Sequence, residues 1–139
     1  MRIVNVTLDN NIDFLKEFIS KIGIETKSFR YYNSRPLSVI KNHLATLLFI
    51  DDEKPIAYGH LDREKENIWL GICVLHEFSG KGYGEKMMNE LIKIAKKLNI
   101  LQIVLTVDKD NFVAINLYEK MNFFKIGEDA CYYKYQYNL

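Results

Sequence analysis

Gly80, Gly82 and Gly84 alternate with other residues inside the stretch Phe78-Ser79-Gly80-Lys81-Gly82-Tyr83-Gly84. Glycine has no Cβ and accepts positive φ, so such a turn lets successive main-chain N–H groups converge on one point. A strongly apolar stretch precedes the turn and a strong helical pattern follows it. That point therefore lies at a helix N-terminus, where the macrodipole favours an anion. Lys81 adds a point charge. A phosphate or diphosphate is the natural ligand, and a purely structural turn is the alternative. Two familiar phosphate loops are excluded by spacing. A P-loop needs four residues between its glycines and then Lys-Ser/Thr. The dinucleotide fingerprint needs G-x-G-x-x-G, whereas here G-x-G-x-G is followed by Glu85.

A second group of chemically able residues is the stretch Lys27-Ser28-Phe29-Arg30-Tyr31-Tyr32-Asn33-Ser34-Arg35. Its aromatics offer stacking surfaces, and Arg30 and Arg35 can grip a carboxylate or phosphate with two parallel hydrogen bonds. The alternative is an amphipathic loop that packs its aromatics under a sheet. Cys73 and Cys131 have neither metal-ligand spacing nor a disulfide framework, so two reduced thiols and no metal are expected.

The elements that must position these groups follow from periodicity. Arg2 to Leu8 alternates as a first strand. From Asn11 to Ile22, Ile12, Leu15, Phe18, Ile19 and Ile22 share one helical face, with Asp9 or Asn10 as a cap and Gly23 at the end. A short helix begins at Pro36 and runs to about Asn42. Ala45 to Ile50, Pro55 to Leu61 and Ile68 to Leu75 read as three meandering strands, joined at Asp51–Lys54 and Arg63–Asn67. After the glycine turn, Met87, Met88, Leu91, Ile92, Ala95 and Leu98 form a wide apolar stripe opposite four lysines. Gln102 to Val107 is a strand and Asn111 to Met121 a helix. Phe123 to Gly127 and Cys131 to Tyr137 close the sheet. The pattern is α/β with a mixed sheet.

With 139 residues, 48% hydrophobic and 27% charged, residues 1–139 form one folded domain. A net charge of +1 gives no electrostatic case for nucleic acid or an acidic membrane surface. No apolar run approaches the roughly 20 residues of a membrane span. The first residues lack the apolar stretch of a secretory signal, so a cytoplasmic protein is expected.

The stretch from Cys73 to Ile92 resembles the CoA-binding motif of the GNAT superfamily of N-acyltransferases, Gln/Arg-x-x-Gly-x-Gly/Ala after a strand ending in Val. Val74, Gly82 and Gly84 fit, and Ser79 stands where Gln or Arg is usual. Asn111-Phe-Val-Ala-Ile-Asn-Leu-Tyr-Glu-Lys-Met-Asn-Phe123 is similar to a second family element, with Asn122 in place of glycine. The resemblance covers roughly Ala45 to Gly127. It implies a mixed, mostly antiparallel sheet of six to seven strands flanked by about four helices and splayed at the acyl-CoA site. It further implies acetyl-CoA as co-substrate, bound by the main chain of Ile72, Cys73 and Val74, by the loop Ser79, Gly80, Lys81, Gly82, Tyr83 and Gly84, and by Asn111. Tyr118 is then the general acid for the leaving thiolate. His60 is a candidate base, with Asp62 behind it. Phe29, Arg30, Tyr31, Tyr32 and Arg35 would wall the acceptor, a small-molecule primary amine such as a nucleotide-linked amino sugar. A protein or peptide N-acetyltransferase and a non-catalytic acyl-CoA sensor remain open, as do monomer and homodimer.

Overall fold

The computed structural model describes residues 1–25 and 28–139. Lys27, expected to open the aromatic and basic connection, lies outside them. The strands are β1 (Arg2–Asn5), β2 (His43–Asp51), β3 (Lys54–Glu64), β4 (Asn67–Val74), β5 (Gln102–Asp108), β6 (Phe124–Glu128) and β7 (Tyr132–Asn138). The helices are α1 (Ile12–Glu25), α2 (Tyr83–Lys97) and α3 (Phe112–Lys120), with 3-10 segments at Tyr31–Asn33, Leu37–Asn42 and His76–Phe78. All seven strands form one sheet in the order β1-β2-β3-β4-β5-β7-β6. Only β4 and β5 run parallel, and α2 is the crossover between them.

Side-chain alternation along the strands explains the two layers. On one face Leu15, Phe18 and Ile22 of α1 pack on Leu48, Ile50, Tyr58 and Cys73. On the other, Met87, Met88, Leu91 and Ala95 of α2 pack on Leu47, Phe49, Ala57 and Leu61. The odd and even residues of β2 and β3 thus serve different helices, which is why these strands read as continuous apolar runs.

Several boundaries differ from expectation for local reasons. The first strand stops at Asn5, because the Thr7 hydroxyl accepts the N–H groups of Asp9 and Asn10 and turns the chain. The residue before α1 is Asn11, at φ 63°, rather than Asp9 or Asn10, and the helix passes Gly23 to reach Glu25. Pro36 precedes rather than opens a helix, and the segment after it is 3-10. Asn122 adopts φ 71°, the left-handed cap its place in the sequence demanded, and Phe123 N–H donates to Tyr118 C=O at 2.9 Å. Among the described residues no helix is long and apolar enough to cross a membrane.

Candidate active site

Trp69 opposite Val104 is the one register pair between β4 and β5 among the described residues. Beyond it the two strands part, and the edge of β4 from Leu70 to Val74 faces a gap. A cleft of about 1090 Å³ fills this gap and continues over the α1 face of the sheet. Ile72, Cys73 and Val74 border it from one side, Tyr118 and Asn111 from the other.

At one end lies the N-terminus of α2. Gly82 precedes the helix at φ 86° and Gly80 has φ 74°, a region that residues with a Cβ avoid. No heavy atom lies within 4 Å of where a Cβ would stand at either position, so conformation rather than crowding requires these glycines. Among the described residues no side chain caps this terminus. Its first-turn N–H groups therefore have no side-chain cap, and Gly80, Gly82, Tyr83 and Gly84 border the cleft. Gly84 has a different reason: a Cβ there would stand 3.1 Å from Leu117 of α3. The Ser79 hydroxyl donates to His76 C=O at 2.7 Å and so contributes to the shape of the turn. Lys81 does not border the cleft, and its Nζ lies 5.5 Å from the centre of the Phe78 ring. Asn111 caps α3, accepting from Ala114 N–H at 3.3 Å.

Tyr118 packs against Phe123, ring centres 5.8 Å apart, with only 8% of its surface exposed. Among the described residues its hydroxyl has no hydrogen-bond partner. Burial pushes the phenol up to about 12, and Cys73 acts in the same direction. The proton stays on at neutral pH.

The other end of the cleft holds a buried polar cluster. Thr46, His60 and Asp62 are its buried polar members. Tyr31 Oη lies 2.7 Å from Asp62 Oδ2 and 2.7 Å from His43 Nε2, and His43 Nδ1 lies 2.7 Å from Thr46 Oγ1. A carboxylate only accepts, so Tyr31 donates to Asp62, His43 Nε2–H donates to Tyr31, and Thr46 donates to His43. A second chain joins Tyr32, Tyr58 and His60 Nδ1 through contacts of 2.6 Å each. Burial holds His43 down at about 4 and His60 well below the ordinary histidine range, so both imidazoles are neutral.

His60 pairs across the sheet with Gly71, and a Cβ at Gly71 would stand 2.6 Å from His60 Nε2. The imidazole lies over bare main chain, and His60 borders the cleft. Gly71→Ala should therefore displace the ring and destabilise the protein by about 1–3 kcal/mol, as overpacking does. Thermal unfolding measures this, and an unchanged melting temperature would show that the ring does not need the space.

Phe29, Arg30, Tyr31 and Arg35 border this end, whereas Tyr32 turns inward to Tyr58. Arg30 donates two hydrogen bonds to Asp108 at the end of β5, at 3.0 and 2.9 Å, and holds that carboxyl below its ordinary range. Arg35 stacks 4.4 Å above the Tyr31 ring and donates to Tyr31 C=O at 3.1 Å. The sequence-derived residues thus gather on one cleft, with Lys81 and Tyr32 outside it. Gly71, His43 and Glu64 were missed. An isolated glycine inside an apolar strand was the available signal for Gly71, since it marks a close approach. His43 carried none.

The glycine turn before α2 thus opens onto the split between the two parallel strands, β4 and β5. The chain belongs to the acetyltransferase (GNAT) family, whose sequence profile matches residues 12–123. It is an acetyltransferase, and the family uses acetyl-CoA. Solved structures agree on the fold. The GNAT domain of S. lividans PAT superposes with a TM-score of 0.84 at 14% identity, covering 99% of this chain and 90% of that one. PaiA N-acetyltransferase from Thermoplasma acidophilum, in complex with coenzyme A, gives 0.75 at 21% identity, covering 100% of both chains. Ribosomal-protein-alanine N-acetyltransferase from Brucella melitensis gives 0.77 at 15% identity, again covering 100% of both. At these identities the likeness concerns the fold alone. A search of curated proteins finds no match.

Proposed function

We propose that this acetyltransferase moves the acetyl group of acetyl-CoA to a primary amine of a small molecule, by direct attack while both substrates are bound. The observation that carries it is the parting of β4 and β5 beyond Trp69 and Val104, which opens one continuous cleft from the α2 terminus to the polar cluster. That continuity supports a reaction in which both substrates are bound together.

The glycine turn and the first-turn N–H groups of α2 hold a diphosphate, and the free edge of Ile72, Cys73 and Val74 takes an extended arm by strand addition. When bound, acetyl-CoA supplies an activated acetyl carbon. The amine nitrogen forms a bond to that carbon as the carbon–sulfur bond breaks, and the sulfur leaves with the electron pair. Tyr118 donates a hydrogen bond to the departing sulfur. A phenol near 12 is a weaker acid than a thiol of about 8.5. The proton that finally rests on sulfur is therefore made good by the surplus proton on the new amide nitrogen. His60, which borders the cleft and is neutral, is able to accept a hydrogen bond from the amine.

The nucleotide-linked amino sugar suggested by Arg30 and Arg35 has less support, because both guanidiniums already engage Asp108 and Tyr31. Thiol release from acetyl-CoA, measured against small amines, nucleotide-linked amino sugars and peptides with free N-termini, tests the proposal. Release with small amines and not with peptides is expected. Release with peptides alone would replace it, and tight acetyl-CoA binding with no release would indicate a sensor.

A further inference from the structure

The acceptor end of the cleft is organised by one strand. His60, Asp62 and Glu64 are alternate residues of β3, so they share a face, and all three border the cleft. Their cross-strand partners are Gly71, Trp69 and Asn67, in that order, running away from the β4 edge that faces the gap. The row passes from His60 at 3% exposure through Asp62 at 6% to Glu64 at the solvent. Successive members are about 7 Å apart along the strand.

Asp62 is the unusual member. One of its oxygens accepts from Tyr31, and no ion pair to it occurs among the described residues. Arg35, the guanidinium in the same wall, is stacked on Tyr31 and donates to its carbonyl. Both nearby imidazoles, His43 and His60, are neutral. A buried carboxylate without a cation is unfavourable, and a cation brought by a ligand relieves it.

The charge of the whole cleft has the same sense. Asp62, Glu64, Asp108 and Asp110 face Arg30 and Arg35, and the Arg30 pair with Asp108 leaves three carboxylates against one guanidinium. Lys134 lies 5.1 Å from the Trp69 ring centre but does not border the cleft. A phosphorylated acceptor would meet this excess of acid with its own negative charge.

Resting on acetyl transfer in the same cleft, we infer that the acceptor carries a second, cationic nitrogen, which Asp62 and then Glu64 hold while the reacting amine lies beside His60. A separation of about 7 Å between successive side chains corresponds to roughly four methylenes, so a linear diamine is the simplest such acceptor. Asp62 acts here as a specificity-determining residue. The group that loses the proton and gains the acetyl remains the amine nearer the β4 edge.

Comparison of 1,4-diaminobutane with butylamine tests this, because the two differ by the second nitrogen. With acetyl-CoA, the wild-type kcat/KM for the diamine should exceed that for butylamine by about a hundredfold, the scale of a desolvated charge pair. Asp62→Asn, whose amide oxygen can still accept from Tyr31, should collapse that ratio toward unity, and Glu64→Gln should lower it less. Calorimetry on the protein saturated with CoA gives a readout independent of turnover. The diamine should bind more tightly than butylamine, and Asp62→Asn should remove the difference. Equal kcat/KM values for the two amines in the wild type would overturn the inference whatever the variant does, and so would preference for a phosphorylated amino sugar. Transfer to both amines alike would leave the acetyl-transfer proposal standing. Absence of thiol release with every amine would sink that proposal instead.

Discussion

Gly82→Glu should abolish measurable acetyl-CoA binding while leaving a protein that still unfolds cooperatively. Two effects act at this position and can be separated. Gly82 sits at φ 86°, so any side chain there costs about 1–2 kcal/mol of backbone strain. That strain lowers stability by a fraction of what a domain this size possesses. A glutamate at the N-terminus of α2 is also favourable to the helix, because its charge complements the dipole. The fold therefore survives. The same carboxylate, however, fills the seat of a diphosphate with like charge, a penalty of several kcal/mol and at least about a hundredfold in affinity. Gly82→Ala carries the strain without the charge and should bind within about tenfold of wild type. Calorimetric titration of both variants decides the matter. Wild-type affinity in the glutamate variant would move the diphosphate away from this turn.

Tyr118→Phe should lower turnover by about tenfold to a thousandfold, with acetyl-CoA affinity and thermal stability little changed. Phenylalanine keeps the ring packed on Phe123 and deletes only a hydroxyl that has no partner among the described residues. Nothing buried is orphaned by the change, so a stability loss is not expected. Because burial raises the phenol to about 12, the proton is retained well above neutrality, and wild-type turnover should not fall through phenol ionisation below about pH 10. Steady-state kinetics across pH, with affinity measured separately, test both statements. A Tyr118→Phe enzyme with full turnover would remove the hydroxyl from the chemistry.

The glycine turn was legible because its information is local. Positive φ at Gly80 and Gly82 is a property of single residues, and the helix behind them is announced by its own apolar stripe. Tyr118 and Asn111 were legible by resemblance, carried by motif positions rather than by any physical pattern. The surroundings of Arg30 and Arg35 were not legible, for a physical reason. Arg30 and Arg35 look from sequence like free anion-binding groups, yet Asp108, which takes Arg30, is 78 positions away. Of the carboxylates that change the sign of the cleft, Asp62 and Glu64 lie on β3, Asp62 just past the strand expected to end at Leu61 and Glu64 inside the turn expected from Arg63 to Asn67.

Local propensity and periodicity were enough to determine the strands, the two main helices and the glycine turn, and motif resemblance indicated the family. Each depends on interactions within a few residues, which one chain segment displays by itself. Tertiary structure alone decided that β7 inserts between β5 and β6, that His60 comes to rest over Gly71, and that Arg30 meets Asp108. Those outcomes follow from sheet register and from packing two faces at once. Both are set by contacts between distant segments, where a one-residue shift in pairing would carry every side chain of a strand to the opposite face.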